Sequence, residues 1–446
     1  MSEIKTTVAN FKAIHQIALP AIVGGIAEPL LSSTDAAIIG NMDYDATEAL
    51  AAVGIVGSFL STLIWIIGQT RSVISSVISQ YVGSNQTSRI RDLPIQAIGF
   101  NILISIIVLL VSYFFKTSIF ELLGAQDQVL KYSLAYYDIR IWGFPFTLVV
   151  FAGFGIFRGF QNTFWPMIVA AVGALVNIVL DFILVYGIEG YIPSMHVEGA
   201  AYASLISQVV MALMVLVLLF QKMDISFAIG RKVHHDIKRM GVMSFHLFLR
   251  SVSLNVALLA GVRTAATISD AEVAAHTIAM NIWLFTAFFI DGYGSAGNIY
   301  GGRLLGAKDM PQLHLLIRKI TVYGIVLGTL LMLIGFVGYD YFGTIFTSEV
   351  DVLNAFTKIF FVILLIQPLS TTAFILDGLF KGFGEMLFLR NLLFIATFGA
   401  FLPTLFITQY YDLGLLGIWT AMAVWLATRS IGLLWKLKKS YGFRVV

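Results

Sequence analysis

Four polar residues in an otherwise apolar chain have the types and spacing to hold a small cation or a proton: Asp35, Asn177, Asp181 and Ser204. Asn177 and Asp181 are four positions apart, so on a helix they share one face. With Asp35 and a hydroxyl such as that of Ser204 they offer the oxygen donors that hard cations take. The same set can hold a proton, because two neighbouring buried carboxylates do not both ionise readily. Glu28 precedes Asp35 by two helical turns and lies near the same face. The plainer alternative is that each acid only satisfies an arginine or a backbone group nearby. A carboxylate at the centre of a membrane costs about 2.5–3.5 kcal/mol even on a permissive scale, which argues for a use.

The element that must position Asp35 is the run Ile17 to Met42, long and apolar enough to cross a bilayer, yet interrupted by Pro20, Pro29 and the pair Gly24-Gly25. Proline removes a helix hydrogen bond and kinks the axis. Pro20 and Pro29 are therefore expected hinges, with the acids placed around the bend. The rest of the chain has the same character. Hydrophobic residues make up 58% and charged ones 12%, which leaves no room for a sizeable soluble domain. Apolar runs recur at membrane-spanning length. Twelve spans are expected, at 13–41, 49–82, 93–116, 129–156, 165–188, 197–221, 237–268, 272–305, 313–338, 352–379, 388–410 and 414–437. The polar start, Ser2 to Phe11, lacks the pattern of a cleavable signal, so the first span is expected to stay. Cysteine is absent, which excludes disulfides and thiolate chemistry.

Lysine and arginine concentrate on one side, in Arg89, Arg91, Arg158, Arg231, Lys232, Lys238, Arg239, Arg303, Lys308 and Lys381 and near both ends of the chain. The opposite loops hold only Lys116 and Lys131 and are acidic. By the positive-inside rule both termini are cytoplasmic, which agrees with an even number of spans. The longest polar stretch, Gln221 to Met240, halves the chain and contains His234-His235-Asp236. That run can ligate a metal, but a solvated cytoplasmic linker explains it without one, and no metal is expected.

The halves repeat. Gly306 lies 223 positions after Gly83, and the same offset puts Pro145 on Pro368 and Gly155-Ile156-Phe157-Arg158-Gly159-Phe160 on Gly378-Leu379-Phe380-Lys381-Gly382-Phe383. Two six-span lobes of like orientation follow, residues 1–221 and 241–446 joined by a cytoplasmic linker at 222–240. Charge did not repeat: at that offset Asp35 meets Leu258 and Asp181 meets Thr404. The coupling chemistry is therefore expected in the first lobe. Asp291 and Asp377 mark a second polar site in the other lobe, where Arg250, Arg263 and Lys358 also interrupt apolar runs. Catalytic Ser, His and Asp candidates are scattered and no phosphate-binding glycine loop is present, so no enzyme or nucleotide-driven pump is expected and energy must come from an ion gradient.

The ordered set Pro20 with Asp35-Ala36-Ala37-Ile38-Ile39-Gly40, Gln80-Tyr81-Val82-Gly83, Arg158-Gly159-Phe160-Gln161-Asn162-Thr163, Asn177-Ile178-Val179-Leu180-Asp181, Asp291-Gly292 and Asp377-Gly378 resembles the multidrug and toxic compound extrusion (MATE) family, in its DinF-like branch. The resemblance covers nearly the whole chain. It implies an all-α membrane protein of twelve helices in two pseudo-symmetric lobes around a central V-shaped cleft. It implies a monomeric antiporter in the inner membrane that exports amphipathic compounds and binds no cofactor or nucleic acid. H+ or Na+ would be the coupling ion, carried by Asp35 beside Asn177, Asp181 and Ser204, with Tyr136 as an aromatic neighbour. Glu28 is not part of the family pattern, and Asn298 stands where some relatives carry glutamate. Titrating carboxylates alone suffice for H+, which is the preferred ion. A lipid-linked saccharide flippase of the same superfamily and a narrow-substrate metabolite exporter are the nearest alternatives, followed by a receptor or channel.

Overall fold

The structure is a computed structural model. It describes residues 9–40, 46–223 and 233–443, without the side chains of residues 27–33, 35, 36 and 46. Apart from one isolated bridge between Ile188 and Ile192, the described elements are helical. That is the outcome dictated by lipid, where each backbone N–H and C=O must be satisfied within its own segment. Among the described residues ten helices are long and apolar enough to cross a membrane, and a bent pair makes an eleventh. The expected count of twelve is not reached on these residues, because the apolar part of the first helix that is described, Phe11–Ile26, is short for a span.

Contacts divide the chain into two compact units. The amino-terminal unit, Val23–Val242, takes the later part of α1 (Phe11–Gly40), then α2 (Ala46–Ile67), α3 (Thr70–Gly83), α4 (Leu93–Phe114), the short α5 (Lys116–Leu122), α6 (Asp127–Arg140), α7 (Phe144–Gly159), α8 (Phe164–Tyr186) and α9 (His196–Lys222). α6 and α7 are separated by a tight turn at Ile141–Gly143. Pro145 opens α7, where a missing N–H does no harm. α7 lies at the centre of this unit, packed on α3, α4 and α9.

The carboxy-terminal unit comprises Met1–Ile22 and Met243–Val446. It takes the first part of α1 and most of α10 (His235–Ala266), followed by α11 (Asp270–Gly306), α12 (Met310–Val337), the single turn α13 (Tyr339–Phe342), α14 (Val350–Leu365), α15 (Gln367–Phe383), α16 (Met386–Phe394), α17 (Leu402–Tyr410) and α18 (Gly414–Tyr441). α14 and α15 meet at a bend of 53°, just before Pro368, as α6 and α7 break just before Pro145. Between α16 and α17 the chain widens into a π-helical stretch, Ile395–Phe401, immediately before Pro403. The wide turn accommodates a proline ring that would otherwise meet the carbonyl one turn back. Early α1 is fastened to α11: Tyr293 Oη lies 3.1 Å from His15 Nε2, and Tyr300 Oη donates to the Ala13 carbonyl at 3.3 Å.

The repeat is visible in the packing inside each unit. In the first, Gly155 and Gly159 of α7 press against Arg71 and Ser75 of α3. In the second, at the same offset of 223, Gly378 and Gly382 of α15 press against Gly294 and Asn298 of α11. In each pair the contact reaches the backbone of the facing helix, so there is no room for a Cβ. Small residues at such crossings are what hold membrane helices together, because lipid is no less apolar than leucine. Gly378→Ala and Gly382→Ala are therefore expected to cost about 1–3 kcal/mol each by overpacking. Gly57→Ala, which meets nothing within 4 Å, should be neutral or better. Thermal unfolding of the three purified variants in detergent checks this; equal midpoints would refute the close-packing account.

Candidate ion-coupling site and a buried ion-pair cluster

α8 buries one stripe: Val169, Ala170, Gly173, Ala174, Asn177, Asp181 and Val185. The steps of three and four are those of a single helix face, and Asn177 and Asp181 fall on it. α9 runs antiparallel alongside. Gly173 admits the Met211 side chain, Ser207 meets Asn177, and Gly199 lies on the Leu184 backbone. This register puts Ser204 and Ser207 level with the two polar residues of α8.

The polar atoms form a directed chain. Ser207 Oγ lies 3.2 Å from Asn177 Oδ1 and 2.9 Å from the Ser204 carbonyl, sharing its one proton between them. Asn177 Nδ2 in turn donates to Asp181 Oδ2 at 2.5 Å. Asp181 has no exposed surface, and Asn177, Ser204 and Ser207 are all buried. A fully buried carboxylate that accepts from an amide, which a serine hydroxyl in turn orients, is a costly arrangement of the kind found at binding sites. Sequence reasoning found Asn177, Asp181 and Ser204 but missed Ser207, and with it Gln208, which is buried against Gly143 at the α6–α7 turn. The signal was available: Ser207 and Gln208 follow Ser204 by three and four on an apolar helix. Tyr136 is buried on α6, a helix that packs on α9.

The later part of α1 passes along α8. Gly24 faces the Met167 backbone, and Tyr186 Oη donates to the Ile38 carbonyl at 2.9 Å. Asp35 therefore stands one turn before the residue that the end of α8 holds. The side chains of Glu28, Pro29 and Asp35 lie outside the described residues. Pro20 is described, and the helix continues through it.

In the carboxy-terminal unit Asp377 is the hub of an ion-pair cluster. Arg250 Nη2 donates to its Oδ1 at 2.6 Å, Lys381 Nζ is 3.1 Å from Oδ2, and Arg429 Nη2 is 3.8 Å from Oδ1. These residues come from α10, α15 and α18. Asp291, on α11, is exposed. Asp138, on α6, pairs with Lys116, with its side chain 41% exposed.

His234, His235 and Asp236 do converge, one ligand atom from each lying within 4.8 Å of the others. Asp236 is already occupied, accepting from Tyr81 Oη at 2.7 Å with Arg239 at 3.7 Å, and His234 reaches the Arg89 carbonyl at 3.2 Å. The run fastens the start of α10 to the end of α3 and to the loop that follows it.

The family profile described as MatE matches the chain twice, at residues 20–183 and 247–407. The chain belongs to the MATE family. DNA damage-inducible protein F of Escherichia coli K12 is 26% identical over 95% of this chain and 91% of its own, in keeping with the DinF-like branch. The probable multidrug resistance protein YoeA of Bacillus subtilis is 23% identical over 86% of this chain and 84% of its own. A solved MATE in the bent conformation superposes with a TM-score of 0.89 at 21% identity, covering 99% of this chain and all of that one. This MATE protein is a multi-pass membrane transporter of the multidrug-efflux type, not an enzyme, and the two profile matches are the two repeats seen in the packing.

Removing the hub of the ion-pair cluster leaves three cations in a buried, membrane-embedded setting. Asp377→Asn should cost about 3–5 kcal/mol, whereas Asp138→Asn, which breaks a more exposed pair, should cost at most about 1 kcal/mol. Thermal unfolding of both variants in detergent tests the contrast, and a small effect at Asp377 would show that the cluster is not a structural pair.

Proposed function

We propose that this MATE protein is a cation-coupled antiporter that exports amphipathic, often cationic compounds by alternating access, with H+ as the coupling ion in preference to Na+. It resides in the inner membrane with both termini in the cytoplasm, as the distribution of lysine and arginine supports. The multidrug-resistance name of the Bacillus subtilis relative supports the substrate class.

The observation that carries the reading is the buried line Ser207–Asn177–Asp181, set in a membrane helix with later α1 alongside. Asp35 takes up the ion from the external side, with Glu28 enlarging the acidic set and Ser204 and Tyr136 completing its surroundings. Neutralising Asp35 removes the cost of a charge in hydrocarbon. α1, weakened at Pro20 and Pro29 by the missing hydrogen bonds, then bends and expels the substrate. H+ is preferred because titrating carboxylates alone suffice to carry it, whereas Na+ would also draw on the oxygens of Asn177 and Ser204.

In proteoliposomes, ethidium transport driven by an imposed pH gradient should fall roughly tenfold or more in Asp35→Asn, and also in Asp181→Asn, with both proteins eluting as folded monomers. Transport by Asp35→Asn at the unmodified rate would sink the assignment. A Na+ gradient that drives efflux where a pH gradient does not would keep the site and change the ion.

A further inference from the structure

Around Asp377, among the described residues, the carboxy-terminal unit has more buried cations than carboxylates. Asp377 has two oxygens, and Arg250 takes one and Lys381 the other, each within hydrogen-bonding distance. Arg429 is left over. At 3.8 Å from Asp377 Oδ1 it is beyond a hydrogen bond, and neither its Nη1 nor its Nη2 has a hydrogen-bond partner among the described residues. Yet Arg429 is only 2% exposed. Arg250 Nε, beside it in the cluster, also has no hydrogen-bond partner among the described residues. Asp291 lies within electrostatic reach of Lys381, but it is exposed on α11 and is not among the ion pairs of the cluster.

The guanidinium of Arg429 is fixed. Its carbon lies 4.7 Å from the centre of the Trp425 ring and 5.3 Å from that of Phe374. Trp425 is in turn held through Nε1 to Thr397 Oγ1 at 3.1 Å, within the π-helical stretch. Aromatic faces hold the plane of the fork, and its N–H edge is the part that remains to be satisfied. A planar fork with two free N–H groups is the shape that binds a carboxylate or phosphate through two parallel hydrogen bonds. A buried guanidinium that is short of a partner is costly in a membrane protein, and a second anion removes that cost.

We propose that Arg429, with Arg250 and Lys381 adding positive charge, forms a binding site for the carboxylate or phosphate head of an amphipathic organic anion. Phe374 lies over the guanidinium and Trp283 packs on Phe374, so the neighbourhood of the fork is aromatic and suits a ligand with an apolar body. Only the further step, that this anion is cargo, rests on the exporter reading; binding does not.

The full-length protein in detergent and in phosphatidylcholine nanodiscs is titrated with 1-pyrenebutyrate and with the same pyrene body carrying a trimethylammonium group. The wild type should bind the carboxylate about tenfold more tightly than the ammonium, and Arg429→Gln should lose roughly that factor. Arg429→Lys keeps the charge without the fork and should fall between the two. It also decides the matter if Arg429→Gln does not elute as a folded species. Equal binding of pyrenebutyrate by wild type and Arg429→Gln, or no preference of the wild type for the carboxylate, overturns the proposal. Displacement of pyrenebutyrate by phosphatidylglycerol in the nanodisc identifies a lipid headgroup as the natural anion. Retention of the probe there identifies a free one, and both results uphold the site. Loss of gradient-driven ethidium transport with pyrenebutyrate binding intact would count against the exporter reading alone.

Discussion

Helices in lipid gain nothing from hiding apolar surface from one another, so they hold together only where they come close enough for dispersion and polar contacts to act. In this protein that approach is made by glycines on a central helix of each unit. Gly155 and Gly159 set α7 on α3, and Gly378 and Gly382 set α15 on α11, at matching positions of the repeat. The polar groups depend on this packing. Asp377 immediately precedes the glycine that meets the Gly294 backbone, so the depth of that contact fixes where its carboxylate stands relative to Arg250 and Arg429. In the other unit the close approach of α8 and α9 at Gly173 and Gly199 brings Ser207 to Asn177.

On a shared frame the two units then put their charges to different uses. Asp181 falls at the repeat position of Thr404, and Asp377 at that of Phe154. One carboxylate accepts from an amide that a serine hydroxyl orients, and the other is ringed by three cations. Packing constrains backbone distance and so preserves the glycines and prolines through a duplication. Ionisable groups are constrained only by what they bind, and each lobe was free to acquire its own.

Much of this was legible in the sequence because it depends on local spacing. The repeat offset and the shared face of Asn177 and Asp181 are properties of residues a few positions apart or of a constant shift; Pro145 and Pro368 marked the repeat, but spans 129–156 and 352–379 were expected unbroken, and the structure breaks both before the proline. What was not legible depends on chain segments far apart meeting in space. Arg250 was singled out as a charge in an apolar run, but its partner is 127 positions away; Tyr81 and Asp236 are 155 apart. Nothing in either local stretch specifies the other. Arg429 was not singled out at all, since a single arginine near the basic end of the last helix reads as an interfacial residue. The π-helical stretch before Pro403 escaped for a related reason: proline announces a disturbance, but whether the chain kinks or widens is decided by what packs on it, here Trp425 through Thr397.

The contrast between the two carboxylates bears on where a coupling ion can act. An acid whose neighbours are amides and hydroxyls can exchange a proton or cation by reorienting hydrogen bonds, each worth about 1 kcal/mol net. An acid clamped by three cations must break buried ion pairs to do the same, at several times that cost. A cycle that repeats many times a second needs states of nearly equal free energy, because a ligand shifts a two-state equilibrium only by its differential affinity. The hydrogen-bonded line on α8 and α9 meets that requirement, and the Asp377 cluster does not. Asp377 therefore suits holding α10, α15 and α18 in register, and the proposed antiport assigns the moving charge to the unit that contains Asp181 and the later part of α1.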